Sequence, residues 1–136
     1  MSEDQIRDIL KRTRRIALVG ASANTARPSH GVMRFLLSKG YEVIPVNPGL
    51  AGQTLLGQKV VARLGDIEEG VDMIDIFRAS EHVPGVVDEA LEAFPKLQTI
   101  WMQLGVIHEV AAQKARARGV DVVMDRCPAI EYPRLM

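Results

Sequence analysis

The sequence predicts a single doubly wound α/β domain over residues 1–136, with a mostly parallel sheet of five or six strands and helices on both faces. Short apolar runs of strand length recur at 16–19, 41–46, 73–77, 99–102 and 121–124. Segments with apolar residues at helical spacing lie between most of them, and such alternation implies parallel pairing through right-handed crossovers. The third observation is the break at Gly20, where an apolar run gives way to a loop of small and polar residues and then to a helix start.

Ser2-Glu-Asp-Gln5 has the form of a capping box, and Ile6, Ile9 and Leu10 continue it as one apolar stripe. Lys11, Arg12, Arg14 and Arg15 gather at the end of this helix, where cations suit the helix dipole. Ile16–Val19 is the first strand. Ser29 is expected to cap a second helix carrying Val32, Met33, Phe35, Leu36 and Leu37, which ends near Lys39 with Gly40 just beyond. Tyr41–Val46 is the next strand. Pro45 has no N–H for a ladder, which places that strand at a sheet edge or beside a pairing gap.

A glycine-rich passage from Gly49 to Gly57 leads to an expected short strand at Lys59–Val61, and an acidic loop covers Asp66–Gly70. Met73–Phe77 is a strand. Ser80 is expected to cap the helix containing Val83, Val86, Val87, Ala90, Leu91 and Phe94, with Pro84 tolerated in its first turn. Thr99–Met102 is a strand, Gln103–Gly105 a turn, His108–Arg118 a helix closed by Gly119, and Asp121–Met124 a last strand before a short tail.

The 136 residues hold 17 Lys plus Arg and 17 Asp plus Glu, a formal net charge of zero. Nucleic-acid binders usually carry a basic excess, so this balance argues against that class. No apolar run approaches the roughly 18 residues of a membrane span. The acidic Met1–Gln5 start does not have the form of a signal peptide, and the cytoplasm is the expected location. Cys127 is the single cysteine, which excludes an intrachain disulfide and a multi-cysteine metal site.

Parallel topology gathers the carboxyl ends of the strands along one edge, where ligands of such folds bind. That edge collects Gly20, Ala21, Ser22, Asn47, Pro48, Phe77, Arg78, Trp101–Gln103 and Asp125–Cys127. A strand, a small-residue turn and a helix N-terminus together form an anion site. Ser22, Asn24, Thr25, Arg27, Ser29 and His30 supply phosphate partners there, and Arg78 adds a guanidinium past another strand. Other roles fit the same residues: a solvated loop charge for Arg27, an ion pair with Glu81 for Arg78, a surface position for His30.

A dinucleotide fingerprint needs G-x-G-x-x-G and an acid about 20 residues later for the ribose. Here the loop reads Gly20-Ala-Ser-Ala-Asn-Thr25, and Glu42 falls at the wrong end of its strand. The P-loop pattern is absent.

Six segments, in order and at matching spacing, resemble the stand-alone CoA-binding proteins, whose domain is also the N-terminal domain of the succinyl-CoA synthetase α subunit. They are Ile16–Ser22, Arg27–Ser29, Tyr41–Pro48, Val71–Arg78, Ile100–Gly105 and Val123–Cys127. The resemblance runs from about Ile6 to Cys127. It implies a Rossmann-like domain holding coenzyme A along the carboxyl edge. On that analogy Gly20–Ser22 meet the pyrophosphate, Asn47 and Pro48 lie beside the adenosine, and Phe77 and Arg78 flank the ribose phosphate or pantetheine arm. CoA's phosphorylated ribose has no free cis-diol, which accounts for the missing acid.

The synthetase's phosphorylated histidine lies in a following domain, and none of His30, His82 or His108 maps onto it. Ligase activity by this chain alone is therefore not expected. The residues contain no evident nucleophile–base pair or metal cluster, and Gln103 joins the binding set as part of the pocket. The expected function is binding of CoA or acyl-CoA as a carrier, sensor or regulatory module, with a homo-oligomer or another protein partner left open. The alternatives are an NAD(P)-dependent oxidoreductase or a CoA-linked thiol–disulfide enzyme using Cys127. Arg126 beside Cys127 would favour a reactive thiol, whereas a buried small residue closing the last strand is the plainer reading.

Overall fold

Helix α1 (Glu3–Arg12) starts as its sequence dictates. The Gln5 N–H donates to Ser2 Oγ at 3.2 Å, and the Ser2 N–H donates to Gln5 Oε1 at 2.8 Å. These bonds satisfy two donors that the first turn leaves without helical partners. Ile6, Ile9 and Leu10 are all buried. The computed structural model describes residues 1–136.

Strands β1 (Arg15–Val19), β2 (Glu42–Val46), β5 (Met73–Ile76), β6 (Thr99–Met102) and β7 (Asp121–Val123) form one five-stranded sheet in the order β2-β1-β5-β6-β7, parallel throughout. The chain moves outward from β1 to β2, returns past β1 to β5, and then steps in the opposite direction. Right-handed crossovers in opposite directions put helices on opposite faces. Helix α2 (Pro28–Ser38), with α1 and α5 (Pro128–Leu135), covers one face. Helices α3 (Val83–Ala93) and α4 (Glu109–Ala117) cover the other. The reversal of direction lies between β1 and β5. No helix is long and apolar enough to cross a membrane.

Several local expectations give way to the observed structure. Lys59–Val61 is not a strand of the sheet: β4 (Gln58–Lys59) pairs antiparallel with β3 (Thr54–Leu55). Only Val61 reaches the sheet, beside Val46. Its N–H donates to the Pro45 carbonyl at 3.1 Å, and its carbonyl accepts from the Asn47 N–H at 2.9 Å. Pro45 does lie on the edge strand.

Ser80 opens a 3-10 turn at Ser80–His82 instead of capping α3, and its Oγ accepts from the Ile107 N–H at 3.0 Å. His108 caps α4, its Nδ1 accepting from the Ala111 N–H at 3.1 Å.

The expected tail is helix α5. Pro128 suits its first position, because the ring fixes φ and the missing N–H has no helical partner there. Tyr132 stands edge-on to Phe35 and Tyr41, with centroids 5.7 and 6.2 Å away. The Arg7 Nε donates to the Leu135 carbonyl at 2.7 Å. Tyr41 in turn donates its hydroxyl to the Leu10 carbonyl at 2.6 Å, and burial, with Tyr132 alongside, pushes its phenol up to about 12.

Asp75 occupies the middle of β5, registered between Leu18 and Trp101. Its side chain is fully buried and neither carboxylate oxygen has a hydrogen-bond partner. Desolvation raises its pKa well above the ordinary 3.8, so the neutral acid is the folded form. Its contribution to stability is full below the unfolded-state pKa and is lost as pH rises through the folded one. Relative to Asp75→Asn, the native chain should lose about 1.4 kcal/mol per pH unit above about pH 4 until the folded acid ionises. Urea unfolding of both proteins from pH 4 to 8 measures the slope. A difference that stays constant across that range would mean Asp75 is ionised in the folded state.

Candidate functional site

The site forms where β1 and β5 part at their carboxyl ends. Gly20, following β1, adopts φ +91°, and a Cβ there would stand 2.6 Å from the Phe77 carbonyl oxygen. Glycine is therefore required on two counts, backbone conformation and close approach. The Phe77 N–H donates to the Val19 carbonyl at 2.8 Å, which holds the two strand ends together. The N–H groups of Gly20 and Ala21 both donate to the Val46 carbonyl, at 3.1 and 3.3 Å. These two donors therefore face β2, so the main-chain donors available to an anion must come from further along the loop and from the start of α2.

The loop is built by short polar side chains. Ser22 Oγ accepts from the Asn24 N–H at 3.0 Å, and Asn24 Oδ1 accepts from the Ala26 N–H at 2.9 Å. Asn47 ties the loop to β2: its Nδ2 donates to the Ala21 carbonyl at 2.7 Å and its Oδ1 accepts from the Gly49 N–H at 2.8 Å. Helix α2 begins at Pro28, with Arg27 at the cap position and no side-chain cap bond. Ser29 is thus not the N-cap. Proline starts the helix two residues sooner, and Ser29 falls within the first turn, buried at the cavity wall.

Two adjoining cavities open along this edge. The larger, about 830 Å³, is lined by Gly20, Ala21, Ser22, Arg27, Ser29, Asn47, Phe77, Arg78, Gln103 and Cys127, among others. The smaller, about 450 Å³, lies toward α3 and shares Gly20, Asn47 and Arg78 with the first. Pro48 lines only the smaller one. Nine of the ten expected binding residues therefore meet around one cavity, and the expected thiol meets them there. Asn24, Thr25 and His30 line neither cavity, and His30 is buried in α2.

Arg27 and Arg78 are exposed. Glu81, the acid expected to neutralise Arg78, lies instead 3.9 Å from His82. Neither guanidinium is in an ion pair within the chain. Two exposed cations at the mouth of a cavity beside a helix N-terminus form an anion-attracting field.

The far wall went unread in the sequence. Leu104, Val106, Ala129 and Ile130 line the larger cavity, with Leu104 57 % and Ile130 49 % exposed. Arg63 and Glu89 line the smaller one. The signal for the far wall is the Gln103–Gly105 turn at the ligand edge; Ala129 and Ile130 come from α5, in place of the short tail expected there. Arg126 does not serve Cys127, because its guanidinium pairs with buried Glu131 at 3.1 Å.

The sequence pattern of the CoA-binding domain matches residues 14–133. The chain belongs to the CoA-binding domain family. This CoA-binding domain is 40 % identical over 131 residues to the uncharacterized protein YneT of Bacillus subtilis, covering 96 % of this chain and 94 % of YneT. Among solved structures, a Thermus thermophilus protein, ID.343, is 35 % identical with a TM-score of 0.93, each chain covered in full. A hypothetical protein of Pyrococcus horikoshii is 33 % identical with a TM-score of 0.92, covering 99 % of this chain and 92 % of that one. The dinucleotide-forming acetyl-coenzyme A synthetase of Ca. Korarchaeum cryptofilum, in complex with phosphate and ADP, is 26 % identical with a TM-score of 0.70. That match covers 85 % of this domain and 27 % of the enzyme.

Gly20→Ala should lower stability by about 1–3 kcal/mol or more, from the strained φ and the Phe77 contact. Chemical denaturation tests this, and a variant as stable as the native chain would show that the β1 turn relaxes freely.

Proposed function

We propose that this domain binds CoA or an acyl-CoA reversibly along the carboxyl edge of its sheet, as a carrier, sensor or regulatory module of the cytoplasm. The observation that carries the reading is the pair of adjoining cavities meeting at Gly20, Asn47 and Arg78, in a chain of the CoA-binding domain family. A long ligand with its charge near the middle suits such a bipartite space. The pyrophosphate lies at the start of α2, against Ser22 and Ser29, with Arg27 and Arg78 closing on its oxygens. The adenosine occupies the smaller cavity beside Asn47 and Pro48. The pantetheine arm runs through the larger one past Phe77 and Gln103.

The smaller cavity also carries Arg63 and Glu89. Glu89 Oε1 accepts from the Leu64 N–H at 3.3 Å, and the Arg63 guanidinium supplies a cation suited to a phosphorylated ribose.

Calorimetric titration of the ligand-stripped protein with CoA, dephospho-CoA, NAD and NADP at one salt concentration tests the reading. Saturable CoA binding, weaker for dephospho-CoA and absent for the nicotinamide nucleotides, is expected. Binding of NAD or NADP without CoA overturns it. Arg78→Ala should weaken CoA binding about 10- to 150-fold, as for loss of a charge-assisted hydrogen bond of about 1.5–3 kcal/mol. An unchanged Kd would remove Arg78 from the site.

A further inference from the structure

The larger cavity holds two groups that CoA binding by phosphate contacts alone does not use. One is Cys127, which is 7 % exposed and lines the cavity wall. The two residues before it are tied to β6 and the turn that follows β6: the Arg126 carbonyl accepts from Trp101 Nε1 at 2.8 Å, and Asp125 Oδ1 accepts from the Gly105 N–H at 2.7 Å. The other is Gln103, 5 % exposed, whose Oε1 has no hydrogen-bond partner. A buried acceptor left unpaired is costly, so a donor entering the cavity would be favoured there.

The order of these groups along the sheet is informative. The Gly20 turn follows β1, Phe77 follows β5, Gln103 follows β6, and Cys127 comes shortly after β7. Neighbouring strands lie about 4.8 Å apart, so β1 and β7 are separated by about 14 Å. CoA carries matching groups in the same order: pyrophosphate, an apolar dimethyl segment, two amides with N–H donors, and a thiol. Its arm of about a dozen bonds spans about 14 Å at peptide-like reach per bond. With the pyrophosphate at β1, an amide N–H comes to Gln103 and the sulfur to Cys127.

We propose that Cys127 forms a reversible mixed disulfide with CoA bound in this cavity, by exchange with a CoA disulfide. The proposal rests on the CoA reading above. The Cys127 thiolate attacks one sulfur of the CoA disulfide, the existing S–S bond breaks, and a Cys127–CoA disulfide forms. The second CoA leaves as a thiolate and takes up the proton that Cys127 released, so one disulfide replaces another with no net oxidation. Attack by a free CoA thiolate reverses the step. The domain would then hold CoA covalently under oxidising conditions and release it when thiols are abundant.

The test is intact-mass spectrometry of the reduced protein after incubation with CoA disulfide or with pantethine, the disulfide of the arm without its nucleotide. CoA affinity is measured in parallel by calorimetry. One CoA adduct per chain is expected, reversed by excess reduced thiol and absent from Cys127→Ser and Cys127→Ala. Binding through the nucleotide should make CoA disulfide react at least about 100-fold faster than pantethine, by proximity. Tight CoA binding without an adduct, or an equal rate with pantethine, overturns the proposal and leaves the CoA reading intact. Failure to bind CoA at all overturns both.

Discussion

The close approach of Gly20 to the Phe77 carbonyl is the constraint on which the rest of the site depends. Strands β1 and β5 are central neighbours, and the chain leaves them toward opposite faces. Their ends can part into a crevice only if the turn after β1 lies flat against β5. Absence of a side chain at Gly20 makes that possible, and the two N–H bonds to Val46 pin the same turn to β2. The crevice floor is therefore fixed by three strands at once, and the cations at its mouth stand on residues that leave this frame.

A second fixed point lies across the crevice. Trp101 is fully buried in β6 and anchors the Arg126 carbonyl through its indole N–H. Asp125 takes the left-handed conformation, φ +57°, and ties down the Gly105 N–H. An aspartate tolerates this conformation better than most residues. The two bonds aim the chain from β7 into α5, so that Cys127, Ala129 and Ile130 face the strand ends of the other side. Asp75 sits beside Trp101 in the same layer, where an uncharged acid among apolar neighbours is the tolerable form.

The sheet and most helices were legible because their signals are local. Gly20 marked its turn, Pro45 its edge strand, and Ser2 with Gln5 its capping box. What escaped the sequence depended on competition or on distance. Ser29 has good capping chemistry, but Pro28 before it is better suited to begin a helix. Val61 lies in an apolar stretch that reads as a strand, yet only one residue of it meets the sheet. Pro133 argues against a helix where α5 stands, yet the packing of Tyr132 on Phe35 and Tyr41 and the bond from Arg7 to the Leu135 carbonyl outweigh that local preference. The pairing of Arg126 with Glu131 and the isolation of Arg78 from Glu81 are tertiary facts with no local signature.

The edge strand β2 also limits how such molecules can meet. At Pro45 it offers no N–H, and the flanking carbonyl and amide are already engaged by Val61. The opposite edge, β7, is only three residues long. A strand from another chain meets an interrupted row of donors and acceptors on β2 and only a three-residue row on β7, and both features disfavour growth of the sheet by edge-to-edge addition and the templated stacking that leads to aggregates.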